Sequence, residues 1–304
     1  MAITILKVLA AAGLLLNLFL MARKIKSNIG TEQGREKWDA AKKFSVYNAI
    51  VGMAANFLDC FGIGSYATTS AAFKLGKSVP DGDIPGTLSV GDTLPMCLEA
   101  FLFAGLAGVD SVTLGVLVAA AVVGALCGAK LVSKLNVQGV RLMMGVGMVI
   151  LGIIMALRVF GVGPFGLTGD GLKLSAGRLV IAALVQFVLG VLMNIGVGLY
   201  APCMALCCGL GLSAAATLPI VMGSAALLMA FGSSPQFIRT GRFDMLASIC
   251  QMTGGAVGVL IAYFFIRNLD VKILTVIITV VVLITAVMFF RDYNNGKPRR
   301  RRAD

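Results

Sequence analysis

The sequence predicts an all-α polytopic membrane protein made of two inverted structural repeats, with broken or short helices at their interface. Three observations predict this. First, the 304 residues are 58% hydrophobic and only 13% charged, with a mean hydropathy of +0.93. A soluble domain usually carries about 45–50% apolar and about 25% charged residues. Second, the apolar residues fall in blocks about 20 residues long, the length an α-helix needs to cross a bilayer. The alternation expected of an outer-membrane barrel is absent. Third, a shift of 134 residues lays 196–271 on 62–137 without gaps.

Composition also excludes chemistry. The chain has no histidine, which removes histidine-ligated metals and any Ser-His or Cys-His nucleophile. Its seven cysteines form no C-x-x-C pair, so neither a zinc site nor a thiol-redox site is expected. No G-x-x-x-x-G-K-[ST] motif is present to bind a nucleotide. The expectation is no enzyme, no cofactor and no metal. The net charge of +12 reads as membrane topology, because its basic residues lie in loops and tails. Nucleic acid is not an expected partner.

The elements follow in order. Residues 1–22 form a first transmembrane helix. Its basic residues, Arg23, Lys24 and Lys26, follow the apolar stretch, whereas a cleaved signal peptide has them in front. The helix is therefore read as uncleaved, with the N-terminus outside. Residues 23–43 form a basic cytoplasmic linker, partly an amphipathic surface helix. Trp38 there is either an interface anchor or an ordinary linker aromatic. Residues 44–160 form repeat 1, and Lys130, Lys134 and Arg141 mark its inside loop. The glycine-rich stretch 161–177 is an external connector, and 178–290 form repeat 2. The tail 291–304 is basic and cytoplasmic. Its run Arg299 to Arg302 is a topology anchor or a contact for anionic membrane lipid. The expected location is the cell membrane, multi-pass, with the C-terminus cytoplasmic. A homo-oligomer is compatible with the sequence, which does not reveal one.

The internal repeat is carried by particular residues. Gly62, Gly64, Tyr66 and Ala67 fall on Gly196, Gly198, Tyr200 and Ala201. Pro85 falls on Pro219, and Asp110 on Asp244. If the loop near Lys134 and the tail are both inside, the loop Arg267 to Lys272 is outside, so the halves have opposite orientation. That is the plan of secondary transporters, whose site lies near the midplane between repeats. Five apolar elements per half are expected, at 44–60, 62–76, 84–106, 111–133 and 139–160, then 178–194, 197–211, 216–238, 244–266 and 271–290. The second of each is too short for a full span. If it enters and leaves on one side, the total of crossings lies between about 9 and 11.

The candidate site lies where the first and second elements meet. In half one these residues are Asn56, Asp59, Gly62, Gly64, Ser65, Tyr66, Thr68 and Thr69. In half two they are Asn194, Gly196, Gly198, Tyr200, Pro202 and Cys203. Glycines at i and i+2 let a helix stop and restart at membrane depth. Irregular backbone is tolerated there only when buried in protein or lining a cavity. A restarting helix turns free N–H groups inward, which suits a small anion. The hydroxyls of Ser65, Thr68, Thr69, Tyr66 and Tyr200 add donors. Close helix packing at glycine is the plainer alternative. Pro85 and Thr87, and Pro219, Gly223 and Ser224, open a further helix in each half.

Acidic residues in apolar blocks are costly and point to function. Asp92 and Glu99, seven apart on one helix face, are the proton-coupling candidates, with Asp92 about two turns inside its helix. The alternative places Asp59 and Glu99 at helix ends in water. Cys203 and Cys207 are either small packing residues or weak S–H donors to a sulfur oxyanion.

These motifs resemble the sulfite-exporter (TauE/SafE-type) family, also called the toluene-sulfonate uptake permease (TSUP) family. The resemblance covers about residues 44–290. It rests on N-F-L-D-C-F-G-I-G-S-Y-A-T-T at 56–69, I-P-G-T-L at 84–88, G-V-G-L-Y-A-P-C-M at 196–204 and L-P-I-V-M-G-S at 218–224. Where many members carry a glycine triplet followed by Pro-x-Leu, this chain has Gly62-Ile63-Gly64-Ser65. The resemblance implies a cytoplasmic-membrane permease for sulfur-containing anions, such as sulfite, thiosulfate or organosulfonates. The residues alone support a secondary transporter of a small anion. A passive anion channel and a cysteine-dependent membrane enzyme are the alternatives.

Overall fold

The computed structural model describes residues 2–105, 108–163, 169–265 and 271–296. All regular structure among them is helical, save one isolated bridge between Gly171 and Leu212. Six helices are long and apolar enough to cross a membrane, so the chain is a multi-pass membrane protein. The loop 266–270 and the run Arg299 to Arg302 lie outside the described residues.

Helix α1 spans Ala2–Ile29, so it continues through the first basic residues expected in the linker. A short α2, Glu32–Lys42, follows, capped by Thr31, whose hydroxyl accepts from the Gly34 N–H at 3.2 Å. Two short helices come next, α3 (Ser45–Asp59) and α4 (Ser65–Gly76). Tyr47 at the start of α3 donates to the Ala72 carbonyl near the end of α4, at 2.7 Å. The second element thus folds back along the first. In the other half, α9 (Ala176–Met193) and α10 (Tyr200–Gly209) do the same: Arg178 donates to the Leu210 carbonyl at 3.1 Å.

Both hairpins are broken by the same backbone device. Gly62 and Gly196 have φ of 78° and 97°, a region that disfavours a side chain. The Gly62 N–H bonds the Asp59 carbonyl and the Ile63 N–H the Leu58 carbonyl. Gly196 and Val197 repeat the pattern on Met193 and Leu192, each residue 134 further on.

The remaining elements are α5 (Ile84–Gly91), α6 (Thr93–Phe103), α7 (Ser111–Val132) and α8 (Val137–Phe160), then α11 (Ala214–Leu227), a π-helical turn (Leu228–Ser233), α12 (Ser234–Thr240), α13 (Met245–Phe265) and α14 (Val271–Asn295). The sequence predicts one helix over 84–106, with Asp92 inside it. Instead it breaks at Asp92, between α5 and α6. Pro95 supplies the reason, since it has no N–H for the Gly91 carbonyl four residues back. Pro235 follows the π-turn in the same way, beyond Phe231.

The packing is crossed between halves. Helix α3 packs on α13, α9 on α7, and α8 on α14. Small residues set the first two contacts. A Cβ added to Gly124 of α7 would lie 2.0 Å from the Phe187 carbonyl oxygen, and one added to Gly258 of α13 would lie 2.1 Å from that of Met53. Gly124 and Gly258 are 134 apart, as are Met53 and Phe187. The caps repeat too: Asp110 accepts from the Thr113 N–H and Asp244 from the Ala247 N–H, both at 2.9 Å. Asp110, at the head of α7, also accepts from the Thr113 hydroxyl. These two bonds hold its carboxyl below the usual range.

Candidate functional site

The two breaks meet inside the bundle. Gly64, with φ 92°, faces Gly198, and a Cβ on Gly198 would lie 3.9 Å from the Gly64 Cα. A small cavity of about 20 Å³ sits there, room for about one water. Asp59, Gly64, Ser65, Tyr66 and Glu99 line it from one half, and Gly198 and Tyr200 from the other. The apolar remainder of the wall, including Met96, Met193, Leu199 and Met222, carries no sequence signal that separates it from ordinary core.

Three carboxyls gather at this point, buried in protein. Asp59, Asp92 and Glu99 are 5%, 0% and 2% exposed, which overturns the reading of Asp59 and Glu99 as helix-end groups in water. Asp92 Oδ1 accepts from Asn56 Nδ2 at 3.0 Å and from Gln251 Nε2 at 2.8 Å. Gln251, on α13, was legible only as an amide in an apolar helix. The Ser65 hydroxyl lies 3.1 Å from Asp59 Oδ2 and 3.2 Å from Asp92 Oδ2. Cys60 Sγ donates to Glu99 Oε1 at 3.4 Å, and the Tyr66 hydroxyl to Ser89 at 2.9 Å. No cation contacts the cluster among the described residues.

One serine hydroxyl bridges two of these carboxyls. Ser65 has one hydroxyl hydrogen and so donates to one carboxylate only. A proton on either carboxyl would let the other contact close as a hydrogen bond to the serine oxygen. Two ionised carboxylates about 5 Å apart across a hydroxyl would repel by about 3 kcal/mol at an effective dielectric of about 20. The Ser65 hydroxyl, in the first turn of α4, donates toward the Asp59 carboxyl, so this donor expected to meet an anion faces an internal one.

Several predicted residues lie outside the cavity wall. Thr68 bonds back to the Gly64 and Ser65 carbonyls, and Thr69 is buried in α4. Pro85 opens α5, and Thr87 holds that start to α13, accepting from the Asp244 N–H at 2.9 Å. Asn194 donates to the Ala125 and Gly190 carbonyls, and Gly196 lies against Met144 and Met148. Pro202 and Cys203 are in α10, where Cys203 is a buried free thiol. Pro219 is inside α11, Gly223 lies against Leu6 of α1, and Ser224 accepts from Gln186 at 3.1 Å.

A second space opens at the far end of α4. It is a vestibule of about 1160 Å³ lined by α2 and by the ends of α4, α8 and α14. Its lining includes Lys37, Lys43, Lys74, Lys77, Arg141, Arg242 and Arg291, against Asp81, Asp83, Asp244 and Asp292. Burial pushes the Asp83 and Asp244 carboxyls above their usual range, with Lys37 acting against it in both. Comparison with family models, curated proteins and solved structures gives no match to this chain.

Proposed function

We propose that the protein is a proton-linked secondary transporter of small anions, and that its cargo class is the sulfur-containing anions implied by the family resemblance. The observation that carries the reading is the meeting of two glycine-broken hairpins, 134 residues apart, on a cavity that also touches buried carboxyls. In this reading the halves are inverted repeats. The through-going elements are α1, α5–α6, α7, α8, α11–α12, α13 and α14. The hairpins α3–α4 and α9–α10 re-enter from opposite sides. That gives about seven crossings, fewer than the sequence suggests, with the N-terminus outside and the vestibule cytoplasmic.

The carboxyls give the coupling its sign. An anion is larger than the one-water cavity, so the breaks must part to admit it. It enters only when the carboxyls around it are protonated, because otherwise like charges meet in a low dielectric. Protonation also turns acceptors into donors. Anion and proton therefore bind together, and a proton gradient drives accumulation. A passive channel would need no such group.

The test is electrical. Purified protein in proteoliposomes on a solid-supported membrane receives sulfite, thiosulfate, sulfate, a small sulfonate, acetate and chloride at two pH values. Transients for the sulfur anions that grow at the lower pH are expected. Equal responses to chloride and acetate, independent of pH, refute the reading.

A further inference from the structure

Among the described residues no cation reaches the central cavity, but one lies buried elsewhere in the chain. Lys74, in the last turn of α4, has a side chain only 4% exposed. Its Nζ contacts both oxygens of Asp81 at 2.8 Å and Asp292 Oδ2 at 2.6 Å. Arg141, at the start of α8, donates from Nε to the same Asp81 Oδ2 at 2.7 Å and from Nη1 to the Asp292 carbonyl at 3.3 Å. The Phe289 ring lies 4.5 Å below Nζ. All four charged groups line the vestibule.

One carboxylate held by an ammonium through both oxygens and by a guanidinium through one is how proteins grip an oxyanion. Asp81 rides on the turn 77–83, which starts at Lys77, the one non-glycine residue with positive φ among those described. Arg242 reaches the Gly82 carbonyl of that turn at 3.3 Å. A buried ammonium is tolerated only while paired. If an oxyanion replaces Asp81 on the same donors, Lys74 is paired throughout the exchange.

We propose that Lys74 and Arg141 form an oxyanion site on the route between vestibule and cavity, and that Asp81 is an internal stand-in which the incoming oxyanion displaces. This rests on the anion-transport reading above. Helix α4 joins the two places, with Ser65 and Tyr66 at the cavity and Lys74 at the vestibule. The other half has no such site, since 134 residues on from Lys74, Asp81 and Arg141 stand Cys208, Ala215 and Thr275. The oxyanion site therefore serves one mouth only.

Asp81→Asn removes the competing charge and keeps the shape. In proteoliposomes, the KM for sulfite or thiosulfate applied at the Lys74 face falls about tenfold if Asp81 occupies the site about nine times in ten. The same anions, added to the detergent-purified protein, raise the midpoint of thermal unfolding more in Asp81→Asn than in the wild type. They raise it little in Lys74→Met. Arg141→Lys keeps the charge, loses the fork, and raises KM should Lys74→Met fail to fold. Transport intact with an unchanged KM in both Asp81→Asn and Arg141→Lys overturns this proposal alone. If neither the wild type nor any variant binds or moves an anion, the transport reading falls and takes this site with it.

Discussion

One methyl group added to each of two glycines tests the crossed packing of the halves. In α7, a Cβ on Gly124 lands 2.0 Å from the Phe187 carbonyl oxygen, and in α13 one on Gly258 lands 2.1 Å from that of Met53. Ordinary contact begins near 3.4 Å, so each partner helix must retreat by about 1.4 Å. The obstacle is backbone, which cannot turn aside as a side chain can. Overpacking of this kind costs about 1–3 kcal/mol. For a chain of this length that is a fall of roughly 2–6 °C in the unfolding midpoint. Gly124→Ala and Gly258→Ala should cost the same within about 0.5 kcal/mol, because the two contacts are copies of each other. Gly115, also in α7, has open space where its Cβ would be. Gly115→Ala should be neutral or stabilising by up to about 1 kcal/mol. Thermal unfolding in detergent, followed by circular dichroism, measures all three. If Gly124→Ala behaves like Gly115→Ala while Gly258→Ala is costly, the two interfaces are not equivalent and the repeat argument fails.

Three further outcomes are expected. Asp92→Asn should abolish the response of transport to a pH gradient in proteoliposomes, while downhill exchange of the anion survives; a retained pH response would place the coupling elsewhere. Asn17 donates to the Ala230 carbonyl in the π-turn at 2.6 Å, and Asn17→Ala should loosen α1 at a cost of about 1 kcal/mol, read by denaturant unfolding in detergent. Asp110 is held below its usual range in the fold, so its contribution is present above its unfolded value near pH 4 and lost as pH falls through the folded value. The stability gap between wild type and Asp110→Ala should thus be constant from about pH 8 to 5 and close below about pH 4.

Much of the helix plan was legible. The apolar blocks at 111–133 and 44–60 match Ser111–Val132 and Ser45–Asp59 to within a residue or so, because loops here are short and polar. The glycine pairs were legible as breaks, since positive φ at Gly62 and Gly196 needs that residue type. Direction after the break was not legible. The Tyr47 and Arg178 bonds show that α4 and α10 fold back, and hydrophobicity carries no sign of direction. The three carboxyls were legible as costly groups inside apolar blocks, and they are buried; the helix break at Asp92 was not legible. The sequence places Asp92 inside a helix, although Pro95 stands three residues on to break it. The Lys74 site was missed because its charges come from positions 74, 81, 141 and 292, which only the fold brings together.

The central claim is carriage through a site that opens to one side at a time, and counterflow tests it most directly. Proteoliposomes loaded with a high concentration of unlabelled sulfite are diluted into a trace of labelled sulfite. A carrier predicts that the label accumulates inside above its external concentration, then declines as the unlabelled pool drains. Monotonic filling without that overshoot means an open pore and contradicts the account.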